Sequence, residues 1–175
     1  MTKGKFEQSI SEVLINNKTN WQKKHQKTIF LNYKKSSYYD DYKDFFEDIF
    51  SQKWEKLIDL NEYVIRFLSK KLEINVDILK SSTYNFKGKK TELLIEMCNI
   101  TNADFYLSGE GGRNYVDNKT FEEHSLTNLY TNFIHPSYKQ LFEPFLPRMS
   151  VIDLLLNNDI KLSKSIIQES GKIGK

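Results

Sequence analysis

Phe105-Tyr106-Leu107-Ser108-Gly109-Glu110-Gly111-Gly112-Arg113-Asn114-Tyr115 is the stretch on which the reading of the fold turns. An apolar run leads straight into glycines, and three of the chain's seven fall within positions 109 to 112 of its 175 residues. This reads as a short strand ending in a glycine-rich loop. Glycine takes positive φ and lets another group come close to the backbone, so such a loop after a strand is a common place for a binding site. Downstream, all three prolines, Pro136, Pro144 and Pro147, lie in the segment from His135 to Pro147. One short helix and one strand separate the two irregular segments, which are expected to face each other across a single pocket.

Working outward, the alternation of Ile10, Val13 and Ile15 predicts a short strand ended by the turn Asn16-Asn17. Thr19 or Asn20 is placed to cap a helix carrying Trp21, His25, Thr28–Ile29 and Tyr33 at helical spacing. Tyr42, Phe45–Phe46 and Ile49–Phe50 form the stripe of a second helix, and the pattern runs on from Trp54 to Leu72 with a break expected near Asp59. Ile74 to Leu79 is a β-like interval. Thr91 to Asn102 and Asn118 to Glu123 read as helices, and Leu126 to Phe133 as a strand. Ser150 with Asp153 three residues on is a capping box opening a helix from Val151 to Leu156. Leu162 to Lys175 is weakly amphipathic and expected to fray, with 163–175 a disordered tail. The fold class is therefore α/β: a helix-rich first half and a small sheet of short strands flanked by helices, in a single domain over 1–175.

At this length a chain buries about 70% of its unfolded surface, enough for a sizeable core. No stretch approaches the roughly 20 apolar residues of a membrane helix, and Met1-Thr2-Lys3-Gly4-Lys5 has no apolar run behind it, so no membrane span and a cytoplasmic location are expected. One cysteine, Cys98, excludes an internal disulfide, and Met97 and Ile100 beside it suggest an inert core thiol. The net charge of +3 comes from 23 lysines and 3 arginines scattered among acids, the residue usage of an AT-rich genome. No basic stripe with interleaved aromatics emerges beyond Trp21 to Lys27, so nucleic acid is not an expected partner.

The residues single out two candidate sites. At the first, the N–H groups of Gly109, Gly111 and Gly112, with Ser108, Arg113 and Tyr115 beside them, are suited to a phosphate or carboxylate, Arg113 adding a bidentate partner. The spacing is neither the dinucleotide fingerprint nor a Walker loop, so no cofactor is named, and a tight strand-to-helix turn explains the glycines equally. The second comprises His135, held extended by the following proline, with Tyr138 and Gln140; the imidazole suits a general base. A surface loop whose side chains only pack is the competing reading there. His25, His124 and His135 are far apart in sequence, so no metal site is expected.

Tyr106-Leu107-Ser108-Gly109-Glu110-Gly111-Gly112-Arg113-Asn114-Tyr115-Val116-Asp117, followed by the run from His135 to Asn157 (HPSYKQLFEPFLPRMSVIDLLLN), resembles the C-terminal signature of the WbqC-like family. Asn20-Trp21, Lys24-His25, Thr28-Ile29, Tyr33 and Ser81-Ser82 resemble its middle section. The resemblance implies an α/β cytosolic enzyme of bacterial O-antigen or other surface-polysaccharide biosynthesis. Its implied activity is transfer of glycine or a similar acyl group onto a nucleotide-activated amino sugar, and it raises His25 to a candidate catalytic residue beside His135. The strand and His/Pro/Tyr/Trp-bearing segment that open the family's N-terminal part find no counterpart here. A truncated or split protein is thus expected, with a partner chain supplying that part and a sheet left with an exposed edge. The rival expectation is a non-catalytic binding or assembly module.

Overall fold

The computed structural model describes residues 8–174. Among them are seven α-helices and a three-stranded mixed sheet, an α/β fold whose first half is helical. The residues cluster into two compact units, one formed by the chain up to Asp77 with Ser137–Ser165, the other by Ile78–Pro136 with the chain from Ile166 onward.

The first unit is built from α1 (Trp21–Tyr33), α2 (Lys43–Ser51), α3 (Leu57–Lys71), α6 (Val151–Asn157) and the first turns of α7 (Ile160–Ser170). The spacing Tyr42, Phe45, Phe46, Ile49 puts four apolar side chains on one face of α2, each under 8% exposed. Phe45 stacks on Phe67 of α3 with ring centroids 3.5 Å apart. Leu154, Leu155 and Leu156 of α6 are buried as well, and the Leu156 carbonyl accepts the Tyr38 N–H.

The alternation at Ile10 to Ile15 does not make a strand. Ile10–Glu12 is a turn of 3₁₀ helix, and only Leu14 pairs, in an isolated antiparallel bridge with Lys56. With both Ile10 and Leu14 more than 60% exposed, no buried face holds these residues in a sheet. The helix break expected near Asp59 falls earlier, at residues 52–56, because Lys56 has the extended backbone of a cap and pairs with Leu14, the bonds of that bridge running through Glu55 and Leu57. Ile74 to Leu79 forms no strand either; Ile74, Val76 and Leu79 are exposed.

The second unit holds α4 (Thr91–Thr101), β1 (Phe105–Ser108), α5 (Asn118–Glu123), β2 (Thr127–Phe133), the end of α7 and β3 (Gly171–Gly174). β1 and β2 are parallel, Phe105 opposite Thr127 and Ser108 opposite Tyr130, with α5 in the connection that parallel strands require. β3 runs antiparallel to β2, Tyr130 opposite Gly174 and Phe133 opposite Gly171, completing the order β1-β2-β3. Ile95 and Cys98 of α4, Phe121 of α5 and Leu126 form the core, and burial raises the Cys98 thiol pKa, as suits an inert core cysteine. The C-terminal stretch expected to fray is instead the helix α7, with an apolar face of its own, and the strand β3, whose Gly171–Gly174 is held by ladder hydrogen bonds to β2.

Gly88 is fixed by steric contact. A Cβ there would lie 2.9 Å from the backbone of Glu92 and Leu93, and the Glu96 carboxylate accepts the N–H groups of Lys87 and Gly88 at 2.9 Å each. Nothing in its polar sequence surroundings announces that packing.

Candidate functional site

The glycine loop follows the carboxyl end of β1, the side of a parallel sheet on which open α/β folds place their ligands. Glu110–Asn114 forms a 3₁₀ turn, and no described glycine has positive φ, so conformational freedom is not what the glycines supply. At Gly112 the reason is space: a Cβ would lie 2.8 Å from both Cβ and Oγ of Ser108. Its N–H closes the turn onto the Gly109 carbonyl at 2.9 Å and is therefore not free for an anion. At Gly109 and Gly111 a Cβ would meet nothing within 4 Å, and open space borders the loop.

A polar relay from buried Ser108, Asn128 and Tyr130 to exposed Asn118 fixes the base of the loop. The Ser108 hydroxyl donates to Asn128 Oδ1 at 3.0 Å, Asn128 Nδ2 donates to Asn118 Oδ1 at 2.9 Å, and the Tyr130 hydroxyl donates to the same oxygen at 3.0 Å. Ser108 and Tyr130 are each 3% exposed, so these groups would be costly to leave unpaired. Asp117 caps α5, accepting from Lys119 N–H and the Thr120 hydroxyl, and its carboxyl is held below the usual range chiefly by the Thr120 bond.

Arg113 lies over the Tyr130 ring, its guanidinium carbon 4.0 Å from the centroid. No ion pair or hydrogen bond ties this guanidinium to another described residue, so contact with the ring leaves its N–H donors unengaged by described residues. A cation thus stands on an aromatic platform beside an open glycine turn, which suits a phosphate or carboxylate group. Tyr115 is exposed, its N–H held by the Gly112 carbonyl. His135 belongs to the same unit, two residues beyond β2, half-buried with its ring edge-on to Phe133 at 6.0 Å.

Tyr138 and Gln140 belong to the other unit and converge there on Asp153. The Tyr138 hydroxyl and Gln140 Nε2 donate to Asp153 Oδ2 at 3.0 and 2.8 Å, and the Tyr33 hydroxyl and Asn157 Nδ2 donate to Oδ1 at 3.0 and 3.2 Å. Asp153 is 5% exposed, and four donors satisfy it. Gln140 also exchanges two hydrogen bonds with the Leu146 backbone, so its whole amide is engaged in holding the proline segment. Burial first, and the bond to Asp153 second, push the Tyr138 hydroxyl up to about 12 and raise Tyr33 as well.

The capping box was legible only in part. Ser150 does accept the Ile152 N–H, but the Asp153 side chain turns away from the cap to become the centre of this cluster. Its sequence position gave a sufficient local explanation and so concealed the distant one. His25 is exposed on α1, edge-on to Trp21 at 5.7 Å and to Phe50 at 6.4 Å.

No helix among the described residues is long and apolar enough to cross a membrane. No solved structure matches the chain. It is 32% identical over 157 residues to the "Uncharacterized protein Rv1507c" of Mycobacterium tuberculosis, an alignment covering 89% of this chain and 68% of that protein. The pattern defining the WbqC-like protein family matches residues 1–164. A match of this extent reaches from α1 through the glycine loop and the Asp153 cluster to the first turns of α7, and the chain belongs to the WbqC-like protein family.

Proposed function

We propose that the chain is a transferase of surface-polysaccharide (O-antigen) biosynthesis that places glycine or a similar small acyl group on a nucleotide-activated amino sugar. The observation that carries the reading is Arg113 stacked on Tyr130 beside the open turn at Gly109 and Gly111, a cation suited to the substrate's phosphate. Ser108, Gly112 and Tyr115 shape that turn. In the reaction the sugar amine attacks the acyl carbonyl, the donor's leaving group departs with the bonding pair, and a base takes the amine proton. His135 is the base in this proposal, with His25 the other imidazole to test.

The purified chain, given a panel of nucleotide-activated amino sugars and an activated glycine, is expected to form a glycylated sugar detectable by mass spectrometry. His135→Ala should abolish the product with the melting temperature nearly unchanged, and Arg113→Ala should lower the thermal stabilisation that the sugar nucleotide gives. No product with any sugar, together with stabilisation that Arg113→Ala lowers, would favour the second reading of a binding module. That reading draws on the character of the loop, whose Arg113 holds an anion rather than moves a proton. Equal loss of folding in His135→Ala would make that residue structural.

A further inference from the structure

Within the first unit, a cavity of about 720 Å³ opens between α3 and the start of α7, inside the range of about 300–1,000 Å³ usual for ligand sites. Its aromatic wall is Tyr42 and Phe67, and three ammonium groups, Lys70, Lys71 and Lys164, line it against two carboxylates, Asp41 and Glu73. Nothing assigned above uses it.

The positive groups are held in unusual ways. Lys71 Nζ stands 5.8 Å from the Tyr42 ring centroid and 5.7 Å from that of Phe67, with no carboxylate partner among the described residues, so the rings hold its position without neutralising its charge. Lys70 has no ion pair with a described residue either. Lys164, its side chain only 21% exposed, is paired with Glu73, whose side chain is 72% exposed. Glu73 has φ 55°, the left-handed position just after α3 where glycine is usual, and the Ile74 N–H to Ser69 carbonyl bond closes the motif. A glutamate therefore occupies an unfavoured backbone position from which it screens a largely buried lysine. Tyr42 is 6% exposed, its pKa raised by burial, and its hydroxyl makes no hydrogen bond to a described residue.

We infer that this cavity binds a phosphorylated small molecule carrying a ring. The phosphate lies against Lys70 and Lys71, the ligand ring against the edges of Phe67 and Tyr42 that line the cavity, and Glu73 is the internal anion that the phosphate displaces from Lys164. The inference is independent of the transferase reading and of Arg113.

Calorimetric titration of the whole chain with inorganic pyrophosphate, uridine diphosphate and glucose 1-phosphate tests it. At least one ring-bearing phosphate should bind more tightly than pyrophosphate, and the preferred one shows whether the ring is a base or a sugar. Lys70→Gln with Lys71→Gln should weaken that binding about tenfold or more, as loss of charged contacts does, with an unchanged melting curve. Glu73→Gln, which leaves the backbone position unaltered and frees Lys164, should tighten it several-fold. Arg113→Ala should retain an isotherm that the double lysine substitution weakens, which separates failure here from failure of the proposed function. Absence of heat in the wild-type chain, or equal affinity in the double-lysine variant, would overturn the inference. Affinity in Glu73→Gln no higher than wild type would overturn the displacement of Glu73.

Discussion

Each unit of this protein contains a polar network with buried members, and the two are built on opposite principles. In the first, one carboxylate, Asp153, gathers donors from Tyr33, Tyr138, Gln140 and Asn157, so that α1, α6 and the proline segment share an anionic centre. In the second, neutral groups pass hydrogen bonds from Ser108 through Asn128 to Asn118, where Tyr130 also donates. A charge-assisted hub makes stronger individual bonds, but all of them depend on one residue. A neutral relay spreads weaker bonds over several residues, and it underlies a loop whose outer face is left open.

Removing the hub should have the largest effect. Asp153→Ala leaves four donors without their acceptor, and a loss of about 3 kcal/mol is expected in denaturant melts. Hydrogen exchange should accelerate chiefly in α1 and α6. A loss below about 1 kcal/mol would remove the contrast between hub and relay. Gly112→Ala comes next, at about 2 kcal/mol, because its Cβ would force Ser108 aside, with exchange rising around β1 and α5.

Ser108→Ala, which removes one neutral donor from the relay, should cost only about 1 kcal/mol. Tyr33 and Tyr138 supply a pH test with a definite sign. Their hydroxyls hold the proton more tightly folded than unfolded, so the stability they contribute is present below the ordinary value of 10.0; Tyr138's share is lost as the pH climbs toward about 12 and Tyr33's at still higher pH. Tyr138→Phe should shrink the alkaline fall in melting temperature; an unaltered fall would take Tyr138 out of the hub's energetics. The smallest change in stability is expected for Gly109→Ala and Gly111→Ala, within about 0.5 kcal/mol, since nothing lies within 4 Å of the added methyl. The same substitutions should weaken sugar-nucleotide binding, separating room kept for a ligand from room required by the fold.

What was legible in the sequence follows from the range of the forces that leave marks there. Helical hydrogen bonds and apolar faces repeat every three or four residues, so Tyr42, Phe45, Phe46 and Ile49 announce α2, and Asn118 to Glu123 is a helix with the predicted bounds. The apolar run before the glycines likewise marks β1 and its loop. The same local logic misread Ile10 to Ile15 and Ile74 to Leu79, where alternation or β-branching is present but no neighbouring strand or buried face receives it.

The sequence by itself therefore determined the helical stripes, the position of the glycine turn and the α/β class, all properties of neighbouring residues. Only the tertiary structure decided which residues meet. It brought Tyr33 to Asp153 across 120 positions, made Gly112 a packing requirement against Ser108, and paired the weakly patterned tail with β2. The physical reason is that a hydrogen-bond acceptor or a van der Waals surface imposes no periodicity on a distant partner. Such contacts become definite only when the folded chain brings the two groups together.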